Sequence, residues 1–573
     1  MAYISVRKNR EGNSYVYLVE GYRVKNKVKQ RILKSYGKLD VLEAQETGIV
    51  ERLKAEAKAG LLTKSAAKTL TTTLDLSKKI SSDDKNYGYK VLEDIYGNLG
   101  IDSVVSQTKK ANKATLSKIL KLLVYQRILN PGSKMGALNY QNMLWGDWNI
   151  SENEMYKNLS LFEKIKEDVQ LTLHDSVKKN VGRTAVLVFY DVTNYYFETD
   201  LNDEDIVDDE TGEILAKGIR KRGMSKERRP KPIVQMGLFM DTNGIPISYK
   251  LFPGNNTDTT TYIPAIEQVK KQFGIERIVV VADKAMNSKK NITLTKNNSD
   301  GWLFSQKHRG KRGADKTIQE FILSEDGWQY NEQNTFAKKS MIRERKLEKG
   351  AAVQEKVVVT WSQKYANREQ IRRDGAVQFA EGLRQPEKYR ASCRRGGKKY
   401  LEMQVIDNET GEMKKMSPFL GIDYEAIEFD AQFDGINVLV TSEIQMSDDE
   451  IISHYSSLSN IEDCFRVTKT EFKSRPVYVR LQEHIEAHFL ICFIALVVIR
   501  ILQVKSKRMM SAGRLIEALN SAKANEVGQG YYRVQANDDM QELNKALGID
   551  WSLAYTKFED IKSYSQGWFT TKK

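Results

Sequence analysis

Two apolar runs in this 573-residue sequence each end on an aspartate. Ala185-Val186-Leu187-Val188-Phe189-Tyr190 leads into Asp191, and Arg277-Ile278-Val279-Val280-Val281-Ala282 leads into Asp283, 92 positions later. Such runs fit buried central strands, and α/β sheets gather ligands at the carboxyl ends of their strands. An acid in that setting is costly unless it is paired or bound to a metal. A pair of them can hold Mg2+, which takes oxygen ligands and polarises phosphates. Equally, each can cap a turn or a helix. A third acid comes later: Tyr455, Glu462, Arg466 and Lys469 stand at offsets −7, 0, +4 and +7, one face of a continuous helix. A carboxylate beside two cations and a phenol suits a metal-and-phosphate site. It is also the pattern of an ordinary surface ion pair.

The elements that must position these residues are legible from periodicity. Residues 3–6, 15–22 and 30–36 alternate apolar and polar side chains, which predicts a small three-stranded sheet. From Val41 to Lys179 the spacing is helical, as at Leu116, Ile119, Leu120, Leu123 and Val124 before the stop at Asn130-Pro131-Gly132. Strands are expected again at 184–191, 233–240 and 246–252, the last two joined by Asp241-Thr242-Asn243-Gly244. A helix follows over Thr259–Phe273 with Asp258 as its cap, then the strand ending on Asp283. Between Gly301 and Asp434 alternation dominates. Val357–Trp361 and Tyr400–Val405 read as strands of a separate β-rich segment, whereas Trp302-Leu303-Phe304 and Gly435–Thr441 fit the core. Helices are expected over Ser447–Lys469 and Pro476–Val504.

Composition narrows the class. The net charge is +15, apolar residues make up 40 %, and only 9 Pro are present, which excludes a low-complexity chain. The 3 Cys cannot build a disulfide framework, and 5 scattered His leave little for an imidazole-based metal site. His484 and His488 are i,i+4 on an apolar helix, where packing is the simpler reading. No secretory signal opens the chain, and the apolar run Phe489–Ile499 is too short to span a bilayer, so a cytoplasmic protein is expected. The basic excess points to a polyanion. It is concentrated at Lys217, Arg220, Lys221, Arg222, Lys226, Arg228, Arg229 and Lys231, and again at Arg384, Lys388, Arg390, Arg394, Arg395, Lys398 and Lys399. An acidic block at 198–210 precedes the first cluster. The two can neutralise each other, or the basic half can meet DNA phosphates, the reading favoured here.

The segments Tyr190-Asp191-Val192-Thr193-Asn194-Tyr195-Tyr196-Phe197, Gly223-Met224-Ser225-Lys226, Ala282-Asp283 and the Glu462 helix occur in an order that resembles a DDE transposase of an insertion sequence. The similar branch has a Tyr-x2-Arg-x3-Glu-x6-Lys signature and a β-strand insertion before the Glu. Tyr455, Glu462 and Lys469 match that signature, while Leu458 stands where the family has Arg, leaving Arg466 as the candidate replacement. Phe252-Pro253-Gly254-Asn255-Asn256-Thr257-Asp258 also looks family-like, and Lys231 replaces an acid often seen there.

The resemblance implies an α/β protein with a ribonuclease-H-like mixed-sheet catalytic core interrupted by a β-rich insertion, preceded by a small β sheet and a helical DNA-binding region. Its expected parts are 1–40, 41–180, 181–300 and 435–510 for the split core, 301–434 for the insertion, and 511–573. Asp191, Asp283 and Glu462 are then the catalytic residues, holding two Mg2+ ions for which Mn2+ can substitute. Tyr455, Arg466, Lys469, Arg220, Lys221, Arg222, Lys226, Arg228, Arg229, Arg394 and Arg395 are the expected DNA contacts. The implied activity is cleavage at transposon ends and strand transfer into target DNA, by a homodimer in a synaptic complex on double-stranded DNA with terminal inverted repeats. A metal-dependent nuclease without strand transfer and a non-enzymatic DNA-binding protein are the alternatives.

Overall fold

The computed structural model describes residues 2–9, 12–24, 27–58, 84–109, 112–183, 186–208, 210–224, 229–310, 314–382, 401–405 and 418–570. The chain divides into two compact units, the first formed essentially by residues 1–80. In that unit β1 (Ala2–Lys8), β2 (Ser14–Val24) and β3 (Lys27–Lys38) form an antiparallel sheet in the order of the chain. The expected alternation is realised: Ile4, Val16 and Leu18 face inward. Helix α1 (Leu39–Gln45) and then α2 (Ile49–Lys58) follow, and α2 lays Ile49, Val50, Leu53 and Ala57 on that apolar face.

The second unit begins with a helical layer that includes α3 (Tyr89–Asn98), α4 (Lys113–Leu129) and α5 (Lys166–Val181). Asn112 caps α4 by accepting from the Thr115 N–H, and the helix stops at Asn130 as the sequence predicts. Among the described residues, nine strands then build one mixed sheet. They are β4 (Leu187–Tyr196), β5 (Ile233–Met240), β6 (Pro246–Pro253), β7 (Val279–Ala282), β8 (Gly301–Ser305), β9 (Gln329–Tyr330), β10 (Phe336–Lys346), β11 (Ala352–Ser362) and β12 (Ile436–Thr441). Their spatial order is β9-β10-β11-β12-β8-β7-β4-β5-β6. The meander β4-β5-β6 is antiparallel, while β7 runs parallel to both β4 and β8. A three-strand meander followed by two parallel strands is consistent with a ribonuclease-H-like core.

Period-2 alternation splits the sheet between two cores. Leu187, Phe189, Tyr195, Val281, Leu303 and Leu439 face the helical layer. Val188, Tyr190, Val192, Val280, Ala282 and Phe304 face the other way, where α6 (Asp258–Phe273) packs. The helical side is filled by α10 (Gln482–Lys505), whose residues from Ile485 to Gln503 are all buried. This helix is long and apolar enough to cross a membrane, yet its apolar window is wholly enclosed by the protein. At about 1.5–3 kcal/mol for each fully buried Leu, Ile, Val or Phe, it is a major contributor to the unit's stability.

Four expectations change. The strand bearing Asp191 does not stop there but continues to Tyr196, because Val192–Tyr196 still pairs with β5. Val357–Trp361 is not in a separate segment: β11 pairs antiparallel with β12 and extends the central sheet. By contrast Leu401–Val405 pairs with Pro418–Ile422 in a two-stranded hairpin of its own. Gln363–Gly382, read as part of an alternating stretch, is a 20-residue helix, α7. Its packed face is built from Ala366, Ala376 and Ala380 with charged residues between, so it carries no apolar period. The helix predicted over 447–469 is broken: α8 (Asp448–Ser456), opened by a reciprocal Ser447–Glu450 cap, is followed by α9 (Ser459–Arg466) and a π-helical turn over Val467–Glu471. Smaller shifts place Gln482 rather than Pro476 at the start of α10, and Thr257 rather than Asp258 at the cap of α6.

Candidate active site

The parallel register explains why the two aspartates meet. Val279, Val280 and Val281 stand opposite Leu187, Val188 and Phe189, an offset of 92 positions. Asp191 and Asp283 are separated by the same offset, so they lie at one level across neighbouring strands, two residues past the last registered pair. Both follow residues of the helical face, Phe189 and Val281. The same row continues through β8: Ala282 pairs with Phe304, and the Ser305 hydroxyl donates to Asp283 at 3.3 Å. Leu439 of β12 stands opposite Ser305. Asp283 also caps a short 3-10 turn through the Lys284 N–H at 2.7 Å, and Asp191 accepts from the Val192 N–H at 2.7 Å.

The third acid arrives from above this row. Helix α9 and its π-helical extension are tied to the Asp191 strand by Thr468 with Tyr195 (2.8 Å) and by the Lys469 ammonium donating to Thr193 (2.6 Å). Asp191, Thr193 and Tyr195 share one face of β4, so these bonds fasten the helix that carries Glu462 to the strand that carries Asp191. Tyr455 comes from α8 and hydrogen-bonds Ser305. Burial first, then the negative fields of Asp283, Glu462 and Asp191, push its phenol up to about 12. Arg466 departs from expectation. It pairs with Asp463 (2.8 Å) and Glu471 (3.1 Å) and is not among the residues that line the cavity. Leu458 itself is a wall residue.

Asp191, Asp283, Tyr455 and Glu462 line one cavity of about 690 Å³. Its other polar lining includes Asp258, Thr360, Ser362, Glu369 and Asn437, from α6, β11, α7 and β12. Sequence reasoning missed Ser305, which nothing but the register singles out, and took Asp258 only as a cap. The lining offers carboxylate, hydroxyl and amide oxygens and no imidazole or thiolate, a donor set that fits a hard divalent cation. Among the described residues no three carboxylate, imidazole or thiolate groups are gathered tightly enough to share one ion. His488 is buried against the Ser474 carbonyl at 3.1 Å, as packing predicts, with its pKa driven down by burial and by Arg127 and Lys134.

The sequence model of the transposase DDE domain family matches residues 206–498, just over half the chain. This chain belongs to the DDE transposases. The match contains Asp283 and Glu462 but begins after Asp191, which is related to Asp283 by strand register. A second model, the N-terminal domain of IS1634 family transposases, matches residues 4–68, within the first unit. No curated protein matches by sequence. Among solved structures, the piggyBac transposase synaptic complex with hairpin DNA is similar at 9% identity and a TM-score of 0.34, over 75% of this chain and 77% of that one. The Mos1 transposase paired-end complex with left transposon end is similar at 13% identity and a TM-score of 0.14, over 34% of this chain and 58% of that one. Likenesses this loose decide nothing about the site.

The basic clusters of the transposase fare differently from expectation. Arg220 pairs with Asp203 (Nε to Oδ1 2.7 Å), Lys221 with Asp205 (2.8 Å), Arg222 with Asp200 (3.7 Å) and Lys231 with Asp200 (3.2 Å). The acidic block neutralises this half of the cluster, the reading set aside at the sequence level. Arg229 lies over the Tyr196 ring at 4.4 Å. Lys226, Arg228, Arg394 and Arg395 lie outside the described residues, as does the whole 384–399 cluster. The glycines of this region are tightly placed: a Cβ on Gly223 would stand 1.9 Å from the Gly254 carbonyl, and one on Gly254 2.1 Å from that of Ile233. Backbone-on-backbone contact is a physical reason for glycine in both family-like segments. Trp302 is wholly buried in β8, and Trp328 donates to the Ser324 carbonyl at 3.2 Å beneath Lys339.

Proposed function

We propose that this transposase cuts DNA at the ends of its element and joins the freed 3′ ends to target DNA, with Asp191, Asp283 and Glu462 as the catalytic carboxylates. The observation that carries this is their convergence on one cavity: two aspartates related by strand register, and a glutamate on a helix whose continuation is fastened to the Asp191 strand through Thr468 and Lys469. These three residues would hold Mg2+, which supplies activation of a water or a 3′-hydroxyl and stabilisation of the leaving oxygen in an in-line displacement. Asp283 is held in place by the Ser305 hydroxyl and the Lys284 N–H. Tyr455, kept neutral by its surroundings, is a hydrogen-bond donor at the rim. Lys469 fixes the helix to the Asp191 strand and adds a positive charge where phosphate approaches.

A dimeric synaptic assembly on inverted terminal repeats and residues 1–180 as readers of end sequence are parts of this reading that rest on family resemblance. The chemistry needs neither a histidine base nor a covalent intermediate. Supplying a precut element end, Mg2+ and a plasmid target tests it. Joined product supports transposition, and cleavage without joining supports a nuclease.

A further inference from the structure

Helix α7 leaves the end of β11 at the wall of the carboxylate cavity, where Ser362, Tyr365 and Glu369 all contribute to the lining. Its inward face is fastened down. Glu369 accepts from Arg309 and from the Gly435 N–H (2.8 Å), Arg373 pairs with Asp434, and Ala380 is buried. The opposite face is exposed. On it Lys364, Arg368 and Arg372 recur at i, i+4 and i+8, a row inclined to the helix axis with about 6 Å between successive side chains. Among the described residues these three cations have no acidic partner, unlike Arg220, Lys221 and Arg222. Ile371 and Phe379 are exposed on the same face but stand apart rather than forming a patch. A row of uncompensated charges stepping away from the cavity matches a polyanion with regularly spaced phosphates.

We propose that α7 is a guide rail for duplex DNA: Lys364, Arg368 and Arg372 take successive phosphates of the segment that enters the carboxylate cavity. This rests on the cavity being the cutting site. Contacts of this kind set position and affinity, and carry no sequence information.

The test uses the full chain and a duplex carrying the DNA that flanks its coding sequence. The triple variant K364Q/R368Q/R372Q should lose about 0.9 per contact from the slope of log affinity against log salt, or about 2.7 in total. Its loss of affinity between 50 and 200 mM salt should be about 40-fold smaller than that of the wild type. The charge-conserving K364R/R368K/R372K should restore the slope, which a merely folding-related defect would not allow. A wild-type slope in the triple variant overturns the proposal. So does a changed oligomeric state in I371D/F379D alongside that wild-type slope, which would make this face a contact between copies of the chain. D191N separates the two readings: it should keep the wild-type slope while losing cutting. Cutting by D191N would refute the cavity assignment and leave the slope result to stand or fall alone.

Discussion

The arm at 198–231 and helix α7 are both basic surfaces of the same unit, and they differ in what answers their charge. In the arm, Asp200, Asp203 and Asp205 hold Lys231 and Arg222, Arg220, and Lys221 in turn, and Arg220 also lies over the Phe197 ring at 5.7 Å. In α7 the acid Glu369 and the cation Arg373 are turned inward to fasten the helix, leaving Lys364, Arg368 and Arg372 without an acidic partner among the described residues. Among the described residues the arm's cations are thus the more fully paired. A count of charges along a sequence cannot distinguish them, because availability depends on which acids fold back.

The comparison breaks most readily at α7, where the triple neutral variant should remove about 2.7 from the salt slope and its charge-conserving counterpart should not. A smaller effect is expected from unmasking the arm. D200N/D203N/D205N should free its cations and steepen the slope by at least about 1, with non-specific affinity raised about tenfold. An unchanged slope there would mean that the freed side chains do not reach DNA. Smaller again is the effect of Arg220→Ala. It should cost about 1 kcal/mol in the stability of the arm, read by limited proteolysis, with no change in slope. A flattened slope instead would return Arg220 to the DNA interface.

The two regions also differ in their response to pH. His308 packs near the Arg309–Glu369 link of α7, and its pKa is pushed down to about 4 by burial, with Arg309 and Lys284 also repelling its charged form. The unfolded imidazole binds a proton near 6.5, so stability is constant above that value and falls between about pH 6.5 and 4, by at most about 1.4 kcal/mol per pH unit. Asp205 of the arm is shifted down, chiefly by the hydrogen bond from Lys221, so its contribution is lost only below the ordinary aspartate range. Acidification from 7 to 5 should therefore loosen α7 and spare the arm. His308→Gln should reduce the pH dependence of Tm in that window, and an unaltered profile would exclude His308 as its source.

Much of the fold is local enough to read from the chain. The apolar runs before Asp191 and Asp283, the 233–252 hairpin and the buried helix ending at Lys505 all follow from patterns of a few residues. What escaped was non-local or compensated. The pairing of β11 with β12 joins residues some 80 positions apart, and no pattern within either strand announces its partner. Helix α7 hides because alanines and ion pairs, not leucines, make its contact face. The π turn shifts Lys469 from the regular helical phase toward Thr193, a displacement invisible to an offset of +7. For the site, both aspartates and the glutamate were legible as types and positions. The level at which the aspartates meet was hidden until the register showed that their spacing and the strand offset are the same number.

The central claim is that Asp191, Asp283 and Glu462 form one catalytic set. It is tested most directly by D191N, D283N and E462Q in Mg2+-dependent cleavage of an element end, with end binding measured on the same preparations. Each should cut at least about 1,000-fold more slowly while binding within a few-fold of the wild type. Wild-type cutting by any one of the three would contradict the account.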